Sequence, residues 1–170
     1  MAEHRFHTIV TTVENKPGVL ARVSGLFARR GFNIESLAVA PTDDEKFSRI
    51  TFTVDVDSAP LEQVVKQLDK LINVVHIREL DPAESVEREL MLVTVAVDST
   101  QRGPMLEQID DFRAFVLNES ETQMMLSLSA RPARLDEFEA LLRPYGITEL
   151  QRTGRVALPA LSKNQPAITG

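Results

Sequence analysis

The sequence contains no cysteine, so it holds no disulfide, no thiolate nucleophile and no cysteine-ligated zinc or iron–sulfur cluster. It has no apolar run of about 18 residues, the length that a membrane-spanning helix needs, and its N-terminus lacks the apolar segment of a secretory signal. The net charge of −6 argues against a nucleic-acid-binding surface, which would be basic. These absences predict a cytoplasmic protein that acts on neither nucleic acid nor membrane.

Catalytic motifs are also missing. There is no Walker loop, no G-x-G-x-x-G and no G-x-S-x-G. The three histidines offer no metal pair, because His4 and His7 are three residues apart on a predicted strand and point to opposite faces, while His76 stands alone. The acidic run at 43–45 could hold a divalent cation, but it lies in a predicted turn without fixed ligand spacing. We therefore expect no catalytic residues and no metal site.

The first half of the chain alternates between strand and helix patterns. Residues 6–13, 33–40, 49–56 and 74–80 predict strands. Two amphipathic helices lie between them, with Pro17 in the first turn of the first helix and Gly31 just past its end. Their apolar stripes are Val19, Leu20, Val23, Leu26 and Phe27, then Leu61, Val64, Val65, Leu68, Leu71 and Ile72. The order β-α-β-β-α-β is that of the ferredoxin-like fold, with both helices on one face of the sheet.

The second half repeats this order of elements, although not the letters. Strands are predicted at 90–97, 114–117, 123–130 and 147–151, with helices at 102–112 and from Pro132 to Gly146. The predicted fold is α+β, with two ferredoxin-like βαββαβ domains in tandem. The boundaries place the first domain at 1–80, a linker at 81–86, the second domain at 87–160 and a flexible tail at 161–170.

The segment between the first strand and the first helix carries binding chemistry. Free N–H groups at a helix N-terminus suit a carboxylate, and Gly18 lets a ligand approach the backbone. Asn15 and Asn33 offer amides that both donate and accept hydrogen bonds. Val19, Leu20 and Ile34 supply apolar walls. These are the parts of a site for a small apolar α-amino acid, although Asn15 could instead simply cap the helix.

A family resemblance gives this segment a more specific meaning. Residues 14–20, ENKPGVL, resemble the signature of an ACT domain. Residues 29–37, RRGFNIESL, followed by VAPT at 39–42, resemble the small regulatory subunit of acetohydroxyacid synthase, also called acetolactate synthase. Further stretches at 67–71, 74–75, 86–93 and 152–154 are similar to the same family. The resemblance covers about residues 6–158, which includes both predicted domains.

The resemblance implies a regulatory function without catalysis. It implies that two chains pair through their ACT domains and bind valine, or another branched-chain amino acid, at the interface. The effector-binding residues that carry over are Asn15, Lys16, Pro17, Gly18, Val19, Leu20, Asn33 and Ile34. The partner would be a large catalytic subunit that binds thiamine diphosphate, FAD and Mg²⁺, is stimulated by the small subunit and becomes sensitive to feedback inhibition. This chain itself is expected to bind no cofactor.

Three further expectations stay open at this point. The basic stretch after Glu149, with Arg152, Arg155 and Lys163, could help to dock the large subunit. The main alternative is a free-standing tandem ACT sensor that regulates another enzyme or transcription. A small ferredoxin-like catalyst is a third candidate, but it lacks an identifiable nucleophile, base or metal cluster.

Overall fold

The computed structural model describes residues 6–55 and 61–161, apart from the side chain of Leu61. The chain divides into two compact units, one formed by residues 1–87 with 156–170 and the other by residues 88–155. Each unit has the predicted ferredoxin-like order of strands and helices. The predicted helix entry at 57–60 and the tail after Leu161 lie outside the described residues.

The first unit consists of one four-stranded sheet and two helices. Its elements are β1 (Phe6–Glu14), α1 (Val19–Arg29), β2 (Ile34–Pro41), β3 (Phe47–Asp55), α2 (Leu61–Leu68) and β4 (Val74–Leu80). The strand order is β2-β3-β1-β4, and all neighbouring strands are antiparallel. Strands β2 and β4 are therefore the edges of this sheet.

The core of the first unit lies between the sheet and its helices. Alternate residues of β1 and β3 point toward the helices, where they meet the apolar stripe of α1 and two residues of α2. The buried cluster contains Ile9, Val13, Ile50, Phe52, Val54, Val19, Val23, Phe27, Phe32, Val64 and Leu68. The ring of Phe27 meets those of Phe52 and Phe32 edge-on, at 4.8 and 6.1 Å between centroids, a favourable aromatic arrangement.

The second unit repeats this plan. Its elements are β5 (Ser85–Ala96), whose first residues belong to the first unit, α3 (Ser99–Ile109), β6 (Phe115–Glu119), β7 (Gln123–Ala130), α4 (Pro132–Leu142) and β8 (Ile147–Arg152). The order within the sheet is β6-β7-β5-β8. Its core includes Met91, Val93, Val95, Met105, Leu126, Leu135, Phe138 and Leu142.

A short ninth strand, absent from the prediction, changes where the first unit ends. Strand β9 (Val156–Pro159) pairs with β5, and Ala157 is buried with Val10 and Leu80 of the first unit. The backbone N–H of Ala160 donates to the carbonyl of Glu84 at 2.8 Å. Residues 156–160, which the sequence assigned to the second domain, therefore belong to the first unit.

Several other boundaries differ from the prediction. Helix α3 begins at Ser99 rather than at 102, because the Asp98 carboxylate accepts the N–H groups of Thr100 and Gln101 at 2.8 and 3.1 Å in a capping box. Strand β5 begins at Ser85, so much of the predicted linker is a 3₁₀ turn (Pro82–Glu84) followed by strand. Ile72, assigned to the stripe of the second helix, lies beyond α2 and is 91% exposed.

Candidate effector site

The loop between β1 and α1 is fixed to the turn between β2 and β3. The backbone N–H of Asn15 donates to the carbonyl of Lys46 at 2.7 Å, and its side-chain Nδ2 donates to the carbonyl of Glu45 at 2.9 Å. Asn15 therefore does not cap α1, and that interpretation of the residue is wrong. The residue that caps α1 is Gly18, so the helix has no side-chain cap. The Val19 N–H donates to the Lys16 carbonyl at 3.3 Å, and the N–H groups that follow it give the helix N-terminus its anion-binding character.

Gly18 combines a special backbone conformation with open space. Its φ of 83° is in the left-handed region, which glycine adopts without the steric cost that a Cβ brings. A Cβ built on Gly18 would have no atom within 4 Å. Helix α1 begins at Val19 with Gly18 as its N-cap, so Pro17 lies before the helix rather than in its first turn as predicted. The space in front of the helix N-terminus is free for a ligand.

A hydrogen-bond network that the sequence did not indicate holds this loop from the other side. The N–H of Glu14 donates to the carbonyl of Asn73 at 2.9 Å, and the Asn73 amide donates to the Glu14 carboxylate. Arg22 of α1 donates to Asn73 Oδ1 at 2.8 Å, and Lys16 Nζ lies 3.0 Å from Glu14 Oε1. The hydrogen bond from Asn73, followed by that from Lys16, lowers the pKa of Glu14. The Lys16 ammonium is thus already paired within the loop.

The remaining site residues differ in exposure. Val19 is buried in the core, whereas Leu20 beside it is 38% exposed. Ile34 is half-buried against the core of the first unit. Asn33 is exposed, and its side chain makes no hydrogen bond within residues 6–55 and 61–161. The Asn33 amide is therefore available to a ligand or to another chain.

The structure separates these residues into two groups at opposite ends of the sheet. Glu14, which precedes Asn15, pairs with Phe47 at the start of β3. Ile34 pairs with Val54 near the end of β3. The two partners are seven positions apart along β3, which corresponds to about 23 Å. One chain therefore carries a helix N-terminus with Asn15 at one end and Asn33 with Ile34 at the other.

Strand β2, which runs between the two groups, is an edge strand of the sheet that the described residues form, and it carries exposed apolar side chains. Leu37 and Val39 are 37% and 46% exposed, although they pair with the buried Phe52 and Ile50. The strand carries a single charged residue, Glu35. Soluble proteins usually protect such an edge with charges or cover it, because it can pair with another strand. This edge has the character of an association surface.

Arg152 in the second unit has a structural role. Its guanidinium lies 2.7 Å from Glu89 Oε2 and 2.6 Å from Asp136 Oδ1, and these hydrogen bonds raise its pKa against the opposing effect of burial. The Glu89 side chain is only 7% exposed and also accepts the N–H of Gly154 at 3.2 Å. Arg152 is thus the partner of a buried carboxylate. The docking role expected of the basic stretch after Glu149 stays a prediction.

Within the described ranges, no group of three or more His, Asp or Glu side chains is placed to hold a metal ion. In the same part of the chain, no helix has both the length and the apolar composition needed to cross a membrane.

The first unit, with its βαββαβ order and its glycine at the N-terminus of α1, has the features of an ACT domain, a class of regulatory domain. Residues 9–76 match the family model described as the AHAS small subunit-like ACT domain. Residues 88–160 match the model described as the small subunit of acetolactate synthase. The chain belongs to the acetolactate synthase small subunit family. This membership confirms the prediction of a non-catalytic regulatory subunit.

Named relatives agree over nearly the whole chain. The acetolactate synthase small subunit of Mycolicibacterium smegmatis is 47% identical over 152 residues, 89% of each chain. The probable acetolactate synthase small subunit of Archaeoglobus fulgidus is also 47% identical, over 89% of this chain and 95% of its own. The crystal structure of the Thermotoga maritima small subunit superposes with a TM-score of 0.86 at 33% identity, covering 93% of this chain and 99% of that one.

Proposed function

We propose that this chain stimulates a catalytic acetolactate synthase subunit and makes it sensitive to feedback inhibition by valine. The large subunit would supply thiamine diphosphate, FAD and Mg²⁺ and carry out the condensation of 2-ketoacids. This chain would supply the effector site and the response to it. The family membership supports the partnership, and the division of the site within one chain supports the way in which valine would act.

The observation that carries the effector proposal is the distance between the two groups of site residues. A free amino acid is far too small to reach from Asn15 to Asn33 within one chain. Two copies related by a two-fold axis solve this problem if their β2 strands pair antiparallel, with the midpoint near Leu37 and Ala38. Ile34 of one copy then lies beside Pro41 of the other.

In that arrangement the dimer contains two complete effector sites. Pro41 pairs with Ser48, one position along β3 from Phe47, which pairs with Glu14. Pro41 is therefore at the same end of the sheet as Asn15 and Gly18. Pairing of β2 thus brings Asn33 and Ile34 of one copy to the helix N-terminus of the other, at both ends of the interface.

Each complete site offers a matching group for each part of valine. The uncapped N-terminus of α1 receives the carboxylate, because Gly18 leaves that approach open. The Asn15 and Asn33 amides accept from the ammonium group or donate to the carboxylate. Leu20 and Ile34 contact the isopropyl group. Inhibition then requires valine to favour one arrangement of the complex by about 1–3 kcal/mol.

Calorimetric titration of the purified chain with L-valine tests the effector half of this proposal. We expect two equivalent sites per dimer, with weaker binding of glycine, which lacks the apolar side chain. A chain that binds no branched-chain amino acid would refute the effector proposal. Co-purification with a thiamine diphosphate enzyme tests the partnership and excludes a free-standing sensor.

A further inference from the structure

The face of the first unit's sheet that points away from α1 and α2 carries a cluster of basic side chains. In β3, Arg49 pairs with Thr12 of β1, and Thr12 in turn pairs with His76 of β4. One row further along, Arg78 of β4 pairs with Val10. Because side chains two positions apart in a strand share a face, Arg49, His76 and Arg78 all project from the same side of the sheet.

These three residues surround a small cavity of about 70 Å³. Val10 and the buried Leu80 form part of its lining, together with Ala157 and Pro159 of β9. The cavity thus has an apolar lining in the sheet and β9, with the basic side chains around it. All of these residues belong to the first unit.

Among the described residues, no acidic side chain pairs with the basic side chains of the cavity. No residue that lines it is acidic, and within residues 6–55 and 61–161 neither Arg49, His76 nor Arg78 forms an ion pair. Lys16 of the same unit, by comparison, lies 3.0 Å from Glu14 Oε1. In a chain with a net charge of −6, this is a local positive surface.

We propose that this basic cavity docks the large subunit by receiving an acidic side chain of that subunit between Arg49 and Arg78. A volume of about 70 Å³ suits a single carboxylate group and is too small for a nucleotide. The planar guanidinium group binds a carboxylate through two parallel hydrogen bonds, which also fixes its orientation. The apolar lining accommodates the methylene groups that lead to the carboxylate.

The position of the cavity favours the large subunit over a second copy of this chain. Strand β4 is at the opposite edge of the sheet from β2, so a dimer that pairs through β2 does not use the β4 edge, where Arg78 and His76 lie. Arg49, His76 and Arg78 are exposed, so ion pairs that they form gain strength only when a partner protein excludes water from them. This inference rests on the proposed partnership with the large subunit.

Charge reversal tests the proposal in the intact chain. We expect Arg78→Glu and Arg49→Glu each to weaken the apparent affinity for the purified large subunit by about tenfold or more, measured by titrating the stimulation of acetolactate formation. Arg78→Lys keeps the positive charge but not the planar fork, so its loss of affinity should be smaller than that of Arg78→Glu. Lys70→Glu is the matched control, because Lys70 is an exposed residue after α2, in the same unit. It should leave the affinity within about twofold.

The possible results separate this inference from the proposed function. A wild-type chain that does not bind the large subunit would refute the partnership and the docking proposal together. If the wild-type chain binds and both glutamate variants bind equally well, the docking proposal alone is wrong. A loss of valine affinity in these variants without a loss of large-subunit affinity would assign the cavity to effector binding and would also overturn it. Calorimetry with valine provides that second readout.

Discussion

Asn15 and Asn33 lie at opposite ends of the sheet of the first unit. Asn15 follows the residue that pairs with Phe47, and Asn33 precedes the residue that pairs with Val54. Both side chains were assigned to one effector site from the sequence, and a single chain does not bring them together. The effector site proposed here is therefore a property of the dimer, and substitutions at either end or at the shared edge should affect it.

Replacing Gly18 by aspartate places a carboxylate where the carboxylate of valine is proposed to bind. We expect Gly18→Asp to reduce valine affinity by about 100-fold, because contact between like charges costs several kcal/mol, and to preserve stimulation of the large subunit. Gly18→Asn is the matched control, since it has the same size and a similar tolerance of positive φ but no charge. Calorimetry should show a clearly smaller loss of valine affinity for Gly18→Asn than for Gly18→Asp. Equal losses would show that the carboxylate of valine does not bind at this position.

Asn33→Ala removes an amide that has no hydrogen bond within the described chain. We expect valine affinity to fall by about 10- to 100-fold, the effect of losing a hydrogen bond to a charged group, without a change in melting temperature. Asn118→Ala in β6 is the control, because Asn118 is also exposed. If both variants bind valine as tightly as the wild type, Asn33 has no part in the site.

Val39→Lys places a charge on the exposed edge of β2. We expect it to shift the chain toward monomers in sedimentation velocity experiments and to lower valine affinity at the same time, because a lysine on an edge strand opposes strand pairing. Val75→Lys makes the same change on β4, the other edge of the same sheet, where Val75 is 59% exposed. It should leave the dimer intact. A dimer that tolerates Val39→Lys would show that β2 is not the interface.

Arg152→Met removes the cation that pairs with the buried Glu89. We expect urea unfolding to show a loss of about 1–3 kcal/mol or more, since a buried charged group left without its partner costs at least this much. Asp136→Asn weakens the other contact of Arg152, but the Asp136 side chain is 64% exposed, so the loss should stay below about 1 kcal/mol. Equal losses in the two variants would contradict the structural role given to the Arg152–Glu89 pair.

Periodicity predicted most of the fold. The apolar stripe predicted for α1 is confirmed for Val19, Val23, Leu26 and Phe27, which are buried. The prediction succeeds because a helix that covers a sheet must bury one face. Strand β4 was predicted at its observed limits. The start of α3 was wrong because the Asp98–Gln101 capping box was not recognised, although the sequence contains it.

Other features had no local signal. Strand β9 has only four residues, too few for a period to be visible, and its place depends on the burial of Ala157 by Val10 and Leu80. The bonds of Asn73 with Glu14 and Arg22 join residues that are 59 and 51 positions apart. Contacts at such separations depend on the complete fold rather than on neighbouring residues. The pairing of Arg152 with Glu89 and Asp136 also depends on the complete fold, so composition alone could not predict it.

The separation of Asn15 from Asn33 was accessible from the order of elements. Strands β1 and β2 are parallel and are joined by helix α1. In such a connection the second strand begins at the end of the sheet opposite to the end where the first strand finishes. A site shared by two chains was instead an implication of the family resemblance. The register of β3 now gives the physical reason, because no single amino acid spans that distance.

The decisive measurement is acetolactate formation by the purified large subunit, with and without this chain and with and without L-valine. We expect the chain to raise the rate and valine to lower the rate only when the chain is present. The Gly18→Asp variant should keep the stimulation but lose the inhibition. A chain that leaves the rate unchanged, or a valine effect that is equally large without the chain, would contradict the proposed function.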